Sequence, residues 1–285
     1  MQSSGEPSAP GNEVAIDAGG RRVMLKWHML RRRPGEAPFW LANLRVGLAF
    51  AASMEIDIRL LGDGAWACLH DDVLDMETDG KGPVTGIDST ALRSLRFTGS
   101  DRSPPLLEEI VHAITANRRT GALVQIDLKE PAASLTSEAV ASFAALVGPV
   151  AQTCLLSGTE WAAVERLGSA VPGLPLGFDP YDMAEGRSFP DRRSIKAFLE
   201  ETDATAPGAQ FSYLYHRFVS EALALGINPI EFMQARGKEV DVWTLDPTTP
   251  DIEAILPRVV AAGADQITTN DPPGMSRLWR QLSAR

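Results

Sequence analysis

Two periodicities trade places along the chain. Runs such as MEIDIRLL (54–61) and ALVQIDLK (122–129) alternate apolar and polar positions with a period of two, the mark of a β-strand. Comparable runs lie at 21–28, 152–158, 174–179, 211–216, 240–246 and 265–271. Between them, segments such as LLEEIVHAITANRR, LTSEAVASFAALV and DIEAILPRVVAAG carry apolar residues at helical spacing, and some end at a glycine. This alternation predicts an α/β fold of the (β/α)8 class, a TIM barrel. A doubly wound open sheet is the competing architecture, but no strand run leads into a G-x-G-x-x-G turn.

The longest break in the alternation is 62–105, where a short apolar run, AWACLH, precedes the Asp- and Gly-rich DDVLDMETDGKGPVTG. It is expected to be a loop excursion after the second strand, crossing one end of the barrel. Residues 1–20 open with the polar, Pro/Gly-rich MQSSGEPSAPGNE, which predicts a disordered tail ahead of a single domain at 21–285.

Composition narrows the function classes. The 285 residues are 44% hydrophobic and 22% charged, and their formal net charge is −10. That balance argues against broad nucleic-acid binding, which needs a basic footprint. No apolar run is long enough to predict a membrane span. The N-terminus lacks the basic-then-apolar layout of a signal peptide, so the cytoplasm is the expected compartment, although a trimmed secreted form would look the same. Cys68 and Cys154 sit in apolar runs and are expected to be buried free thiols.

The parity of the second and third strand runs exposes the chemistry. Ile56, Ile58 and Leu60 share one face, leaving Glu55 and Asp57 on the other; Val124, Ile126 and Leu128 likewise leave Asp127 and Lys129 opposite. In a parallel barrel the apolar set faces the helices and the polar set faces the axis. Buried carboxylates there must be paired or bound to a metal. Glu55, Asp57 and Asp127 converging at one mouth make an all-oxygen site suited to one hard divalent cation, Mg²⁺ or Ca²⁺. Lys129 beside them would add positive charge for a phosphoryl group. His28 ends the first strand and His70 follows the second closely enough to fold back over the mouth, so both are candidate proton-transfer groups. His216 is a second-rank candidate, and His112 reads as a surface or packing residue on a helix.

The ordered set His28, E-x-D at 55–57, H-D at 70–71, D-x-K at 127–129, WTLD at 243–246 and TTNDP at 268–272 resembles the glycerophosphodiester phosphodiesterases. The resemblance runs from about residue 22 to 280. It implies a TIM barrel that binds one divalent cation and hydrolyses glycerophosphodiesters to glycerol 3-phosphate and an alcohol. By position it makes Glu55, Asp57 and Asp127 metal ligands, and His28 and His70 the acid/base pair. Lys129 becomes a phosphate contact and Trp243 an apolar wall against the glycerol or alcohol group. The implied partner is a small-molecule glycerophosphodiester.

The chain departs from the pattern at three places. Met29 stands where an arginine usually follows the first histidine, PFWLAN (38–43) replaces a Pro-Glu-Asn-Thr run, and Asp127 replaces a glutamate. Arg31, Arg32 and Arg33 are read as a solvated basic turn. Asp246, Asn270 and Asp271 are read as loop-fixing caps of helix N-termini. D-x-K also occurs in sphingomyelinase D-like phospholipases, which form the alternative reading, together with a barrel that binds a phosphodiester without cleaving it.

Overall fold

A computed structural model describes residues 13–117 and 121–285. Ten strands form its sheet: β1 (Ala15–Ala18), β2 (Arg21–Trp27), β3 (Ser53–Leu60), β4 (Trp66–Ala67), β5 (Leu123–Leu128), β6 (Cys154–Gly158), β7 (Gly177–Phe178), β8 (Phe211–Tyr215), β9 (Glu239–Trp243) and β10 (Gln266–Thr269). Eight of them run parallel in the order β6-β5-β3-β2-β10-β9-β8-β7. A parallel bridge between Leu156 and Leu176 brings the two ends of that order together, so the sheet curls into a nearly closed TIM barrel. All eight strand runs of the sequence lie in this barrel. Helices alternate with the strands, including Leu41–Ala49, Leu107–Ala116, Ser137–Val147, Trp161–Gly168, Arg192–Thr205, His216–Ala224 and Ile252–Ala262.

Strand parity works as the pattern requires. Met54, Ile56, Ile58, Val124, Ile126, Cys154 and Leu156 point outward into one hydrophobic cluster under the helices, and Leu214, Val240, Val242 and Ile267 join a second one. The opposite parity fills the barrel with polar side chains instead of the usual branched aliphatics. Lys26 pairs with Asp241 at 2.8 Å and donates to Gln125; Gln125 Nε2 donates to Ser157 Oγ at 2.8 Å, and Ser157 Oγ to Asp127 Oδ1 at 2.5 Å. Thr268 Oγ1 closes the chain on Asp241 at 2.7 Å. Each buried charge in this ladder meets an opposite charge or a hydrogen bond, which makes its burial tolerable.

Two elements extend the predicted set. Residues 1–12 of the expected tail lie outside the described residues, but Ala15–Ala18 is a strand, so the tail boundary at residue 20 is corrected. Gly19 and Gly20, both at positive φ, let the chain reverse tightly, and β1 pairs antiparallel with β2. At the other end, Pro272–Ser283 forms a helix whose start is capped by Asp271 Oδ1 accepting from the Gly274 amide at 2.9 Å.

The excursion begins as a continuation of β3 beyond the barrel rim. β4 pairs antiparallel with it, Arg59 opposite Ala67 and Leu60 opposite Trp66. Buried Trp66, Leu69, Leu74 and Phe97 then anchor the excursion in the same hydrophobic cluster as β3 and β5. The hairpin therefore throws Cys68–Asp71 back across the mouth. Cys68 and Cys154 are both buried free thiols, and burial pushes Cys154 up to about 12.

Candidate active site

Glu55, Asp57 and Asp127 bring one carboxylate oxygen each to within 4.8 Å of one another at the C-terminal end of the barrel. β3 and β5 impose this: Asp57 sits in register with Asp127, and parity turns Glu55, Asp57 and Asp127 inward together. Asp57 is 1% exposed and its Oδ2 has no hydrogen-bond partner. Glu55 is held well above the usual carboxylate range, by burial first and then by the charges of Asp57 and Asp127. An orphaned buried oxygen and a carboxyl that resists ionisation both mark excess negative charge. That donor set fits a hard divalent cation.

Lys129 Nζ lies 3.0 Å from Asp57 and 2.6 Å from Asp127. Burial alone would lower its pKa, but Asp127, Asp57 and Glu55 outweigh that and raise it well above the ordinary lysine value. Asp127 is the counterpart. Burial pushes it up, yet Lys129 and Ser157 together hold it below the usual range.

His28 follows β2 at the same mouth. Its Nδ1 meets Asn270 Oδ1 at 2.9 Å. The orientation of Asn270 is fixed from behind, since its Nδ2 donates to Asp246 Oδ2 at 2.8 Å and its backbone amide to Asp246 Oδ1 at 2.7 Å. Asn270 Oδ1 is therefore an acceptor, so His28 Nδ1 donates and Nε2 is left free. Burial lowers the His28 pKa below 6.5, with Asp57 and Asn270 opposing. This network corrects the helix-cap reading: Asp271 caps a helix, whereas Asp246 and Asn270 serve His28.

The residues after His28 adopt a costly conformation for a purpose visible in the site. Met29 and Leu30 both have left-handed φ, at 52° and 57°, which costs non-glycine residues about 1–2 kcal/mol each. The turn aims the Met29 amide at Glu55 Oε2, 2.5 Å away. PFWLAN contributes to the same turn: Phe39 N donates to Met29 O at 2.7 Å, and Asn43 Nδ2 to Leu30 O at 2.9 Å. The basic run divides three ways. Arg32 is buried against Glu13 at 2.7 Å, and Arg33 is exposed. Arg31 turns toward the mouth and donates to Asn270 Oδ1 at 3.3 Å. The solvated-turn reading therefore holds for Arg33 alone.

His70 arrives from the excursion with its side chain 46% exposed and Nδ1 3.1 Å from Asp71. Glu77 clamps this corner by accepting the His70 and Asp71 amides, each at 2.6 Å, while Arg59 Nε holds the His70 carbonyl at 2.8 Å. His28, Glu55, Asp57, His70, Asp127, Lys129 and Trp243 all line one cavity of about 670 Å³. Trp243 packs against Tyr181 and Tyr215, with centroids 5.2 and 5.0 Å away. His216 lies against Tyr215 and is not among the lining residues, and His112 is exposed on its helix. Asp179, Tyr181 and Tyr213, none singled out from the sequence, also face this cavity. The inward parity of Tyr213 on β8 was the available signal for one of them.

The arrangement can hold a cation, neutralise a phosphoryl group and move protons on two sides of it. Comparison with known proteins bears on this chemistry. The model of the glycerophosphoryl diester phosphodiesterase family matches residues 49–273, a span that includes all of these groups except His28. No curated protein sequence matches the chain. Among solved structures, a glycerophosphodiester phosphodiesterase from Agrobacterium tumefaciens is 20% identical, with 90% of this chain and 99% of that one covered at a TM-score of 0.63. A phosphodiesterase from Oleispira antarctica, solved in complex with the product sn-glycerol-3-phosphate, is 20% identical over 90% and 96%, also at 0.63. One from Parabacteroides distasonis is 16% identical over 92% and 97%, at 0.64. These likenesses establish the barrel, and the family match, which spans more than half of the sequence, establishes the rest: the chain belongs to the glycerophosphoryl diester phosphodiesterase family, enzymes that hydrolyse phosphoric diesters.

Proposed function

We propose that the protein hydrolyses glycerophosphodiesters to glycerol 3-phosphate and an alcohol, with one divalent cation, Mg²⁺ or Ca²⁺, held by Glu55, Asp57 and Asp127. The observation that carries this reading is the gathering of those three carboxylates, Lys129 and two histidines in one cavity. Held by these carboxylates, such a cation would supply charge neutralisation for the phosphoryl group. Lys129, already poised between Asp57 and Asp127, contacts the same phosphate from the protein side.

His28 is the base in this scheme. Asn270 holds its proton on Nδ1, and burial keeps the ring neutral near pH 7, so Nε2 is free to accept a proton from the attacking hydroxyl or water. His70 is the acid. Its Nδ1 lies 3.1 Å from Asp71, which orients the ring, and its exposed place at the rim suits delivery of a proton to the departing alcohol. Trp243 forms a wall of the substrate space. The Oleispira enzyme's product complex is consistent with the proposed product.

The test is release of glycerol 3-phosphate from glycerophosphocholine and glycerophosphoethanolamine with Mg²⁺, with Ca²⁺ and with a chelator. Release that depends on the cation supports the reading. Folded protein that releases nothing under any of these conditions overturns it, and sphingomyelin and lysophospholipids then become the substrates to try.

A further inference from the structure

A file of hydrogen bonds runs through the barrel interior from Lys26 to the carboxylate of Asp127, and its two ends force the direction of every bond in it. A lysine ammonium can only donate, and an ionised carboxylate can only accept. Lys26 is held by its 2.8 Å ion pair with Asp241, which in turn accepts from Thr268 Oγ1 at 2.7 Å. Lys26 Nζ donates to Gln125 Oε1, and this fixes the amide with its nitrogen toward β6. Gln125 Nε2 therefore donates to Ser157 Oγ, 2.8 Å away. The Ser157 proton is left to point at Asp127 Oδ1, at 2.5 Å. Lys26, Gln125 and Ser157 are all buried.

Asp127 is one of the three carboxylates offered to a cation. Its second oxygen, Oδ2, meets Lys129 Nζ at 2.6 Å, but Lys129 also reaches Asp57 at 3.0 Å. The reaction proposed above gives Lys129 a phosphate to contact as well. Ser157 carries no such divided duty. It sits in register with Asp127 on the neighbouring strand, and its hydroxyl is oriented from behind. A ligand carboxylate held this way loses less freedom when the cation arrives, and such outer partners commonly govern metal affinity.

We infer that Ser157, oriented by Gln125 and Lys26, is the positioning residue that holds Asp127 ready for the cation and sets the affinity of the site. This rests on the cation reading above. Gln125 and Lys26 act through the Ser157 hydroxyl.

The experiment measures Mg²⁺ and Ca²⁺ affinity by calorimetry on the substrate-free protein and on Ser157→Ala and Gln125→Glu, beside thermal melts with and without chelator. Ser157→Ala should weaken cation binding by roughly tenfold to a hundredfold, the usual loss when an outer partner of a ligand is removed. It should also shrink the rise in melting temperature that the cation produces. A hydroxyl that served packing alone would lower the melting temperature equally with and without cation and leave affinity unchanged, and that result would overturn the inference. Gln125→Glu separates orientation from charge. It keeps an acceptor for Lys26 but removes the N–H that Ser157 accepts, so the Ser157 proton turns to the new carboxylate and away from Asp127. Cation binding should then weaken although negative charge has been added near the site. Tighter binding, the result that charge alone would give, would also overturn the inference. A wild type that binds neither cation would defeat the cation reading and this inference together, whereas an affinity that survives both substitutions would remove the relay and leave the cation site standing.

Discussion

Asn270 shows how a single side chain can set a mechanism. Its amide is locked by Asp246, and its one free oxygen dictates which nitrogen of His28 carries the proton. Asn270→Ala should lower kcat by roughly tenfold to a hundredfold, at or below the lower end of what general-base catalysis contributes because His28 itself remains, and Asp246→Ala should do the same by releasing Asn270. The pH profile gives a sharper check. Burial holds His28 below 6.5, so the acidic limb of kcat/KM should fall at a pH below that value. Asn270→Asp would place a charge beside Nδ1, favour the imidazolium and move the limb upward; an unmoved limb would show that His28 is not the group titrating. Period-two parity was enough to nominate Glu55, Asp57, Asp127 and Lys129, because their geometry follows from the strands that carry them. The Asn270–His28 contact joins the ends of the neighbouring strands β10 and β2, between residues far apart in the chain, and no local pattern encodes it. From sequence, Asn270 before Asp271 and Pro272 looked like a cap, and only Asp271 is one.

At the scale of elements, the excursion determines where His70 stands. Two backbone amides converge on Glu77, and Arg59 ties the corner to β3. Glu77→Ala should cut kcat by about tenfold or more while moving the melting temperature little, since that corner is exposed on one side. Steady-state kinetics beside a thermal melt would check this, and full activity would mean that His70 is placed by something else. The eight barrel strands were legible because each buries one face in a continuous apolar shell. β1 was missed although its signal was present: AIDA followed by Gly19-Gly20 is a short alternating run with a hairpin turn. The last helix was hidden by its own start, where Pro272-Pro273 reads as a stop but in fact occupies the first turn. Met275, Leu278, Trp279 and Leu282 had the required helical spacing.

For the molecule as a whole, the carboxylate centre ties stability to cation and pH. Glu55 has a folded pKa raised well above 4.5, so the folded state holds a proton that the unfolded chain has already released. Stability without a cation should therefore decline as pH rises from the ordinary glutamate range toward that raised value. Asp179, raised in the same direction by burial and Asp127, should add to the slope. Saturating Mg²⁺ or Ca²⁺ should raise the melting temperature at neutral pH, and binding should release a proton. Asp57→Asn should stabilise the cation-free protein by easing repulsion and abolish the cation-induced rise. Thermal melts across pH, with and without chelator, would decide this; a melting temperature indifferent to both cations would remove Glu55, Asp57 and Asp127 as ligands.

The strand order carries a consequence for how the protein is made. β2 takes its barrel neighbours from opposite ends of the chain, meeting β3 at the Trp27–Met54 pair and β10 along Met24–Trp27. During synthesis every cation ligand and both histidines leave the ribosome well before β10 does. Until β10 arrives, β2 offers an open backbone edge, and Lys26 lacks the Asp241 that neutralises it. The nascent chain thus carries its reactive groups long before it has a floor to set them on. Such long-range pairing is slow to form and leaves strand edges exposed meanwhile, so competence to bind a cation should appear only once the final two strands have been delivered.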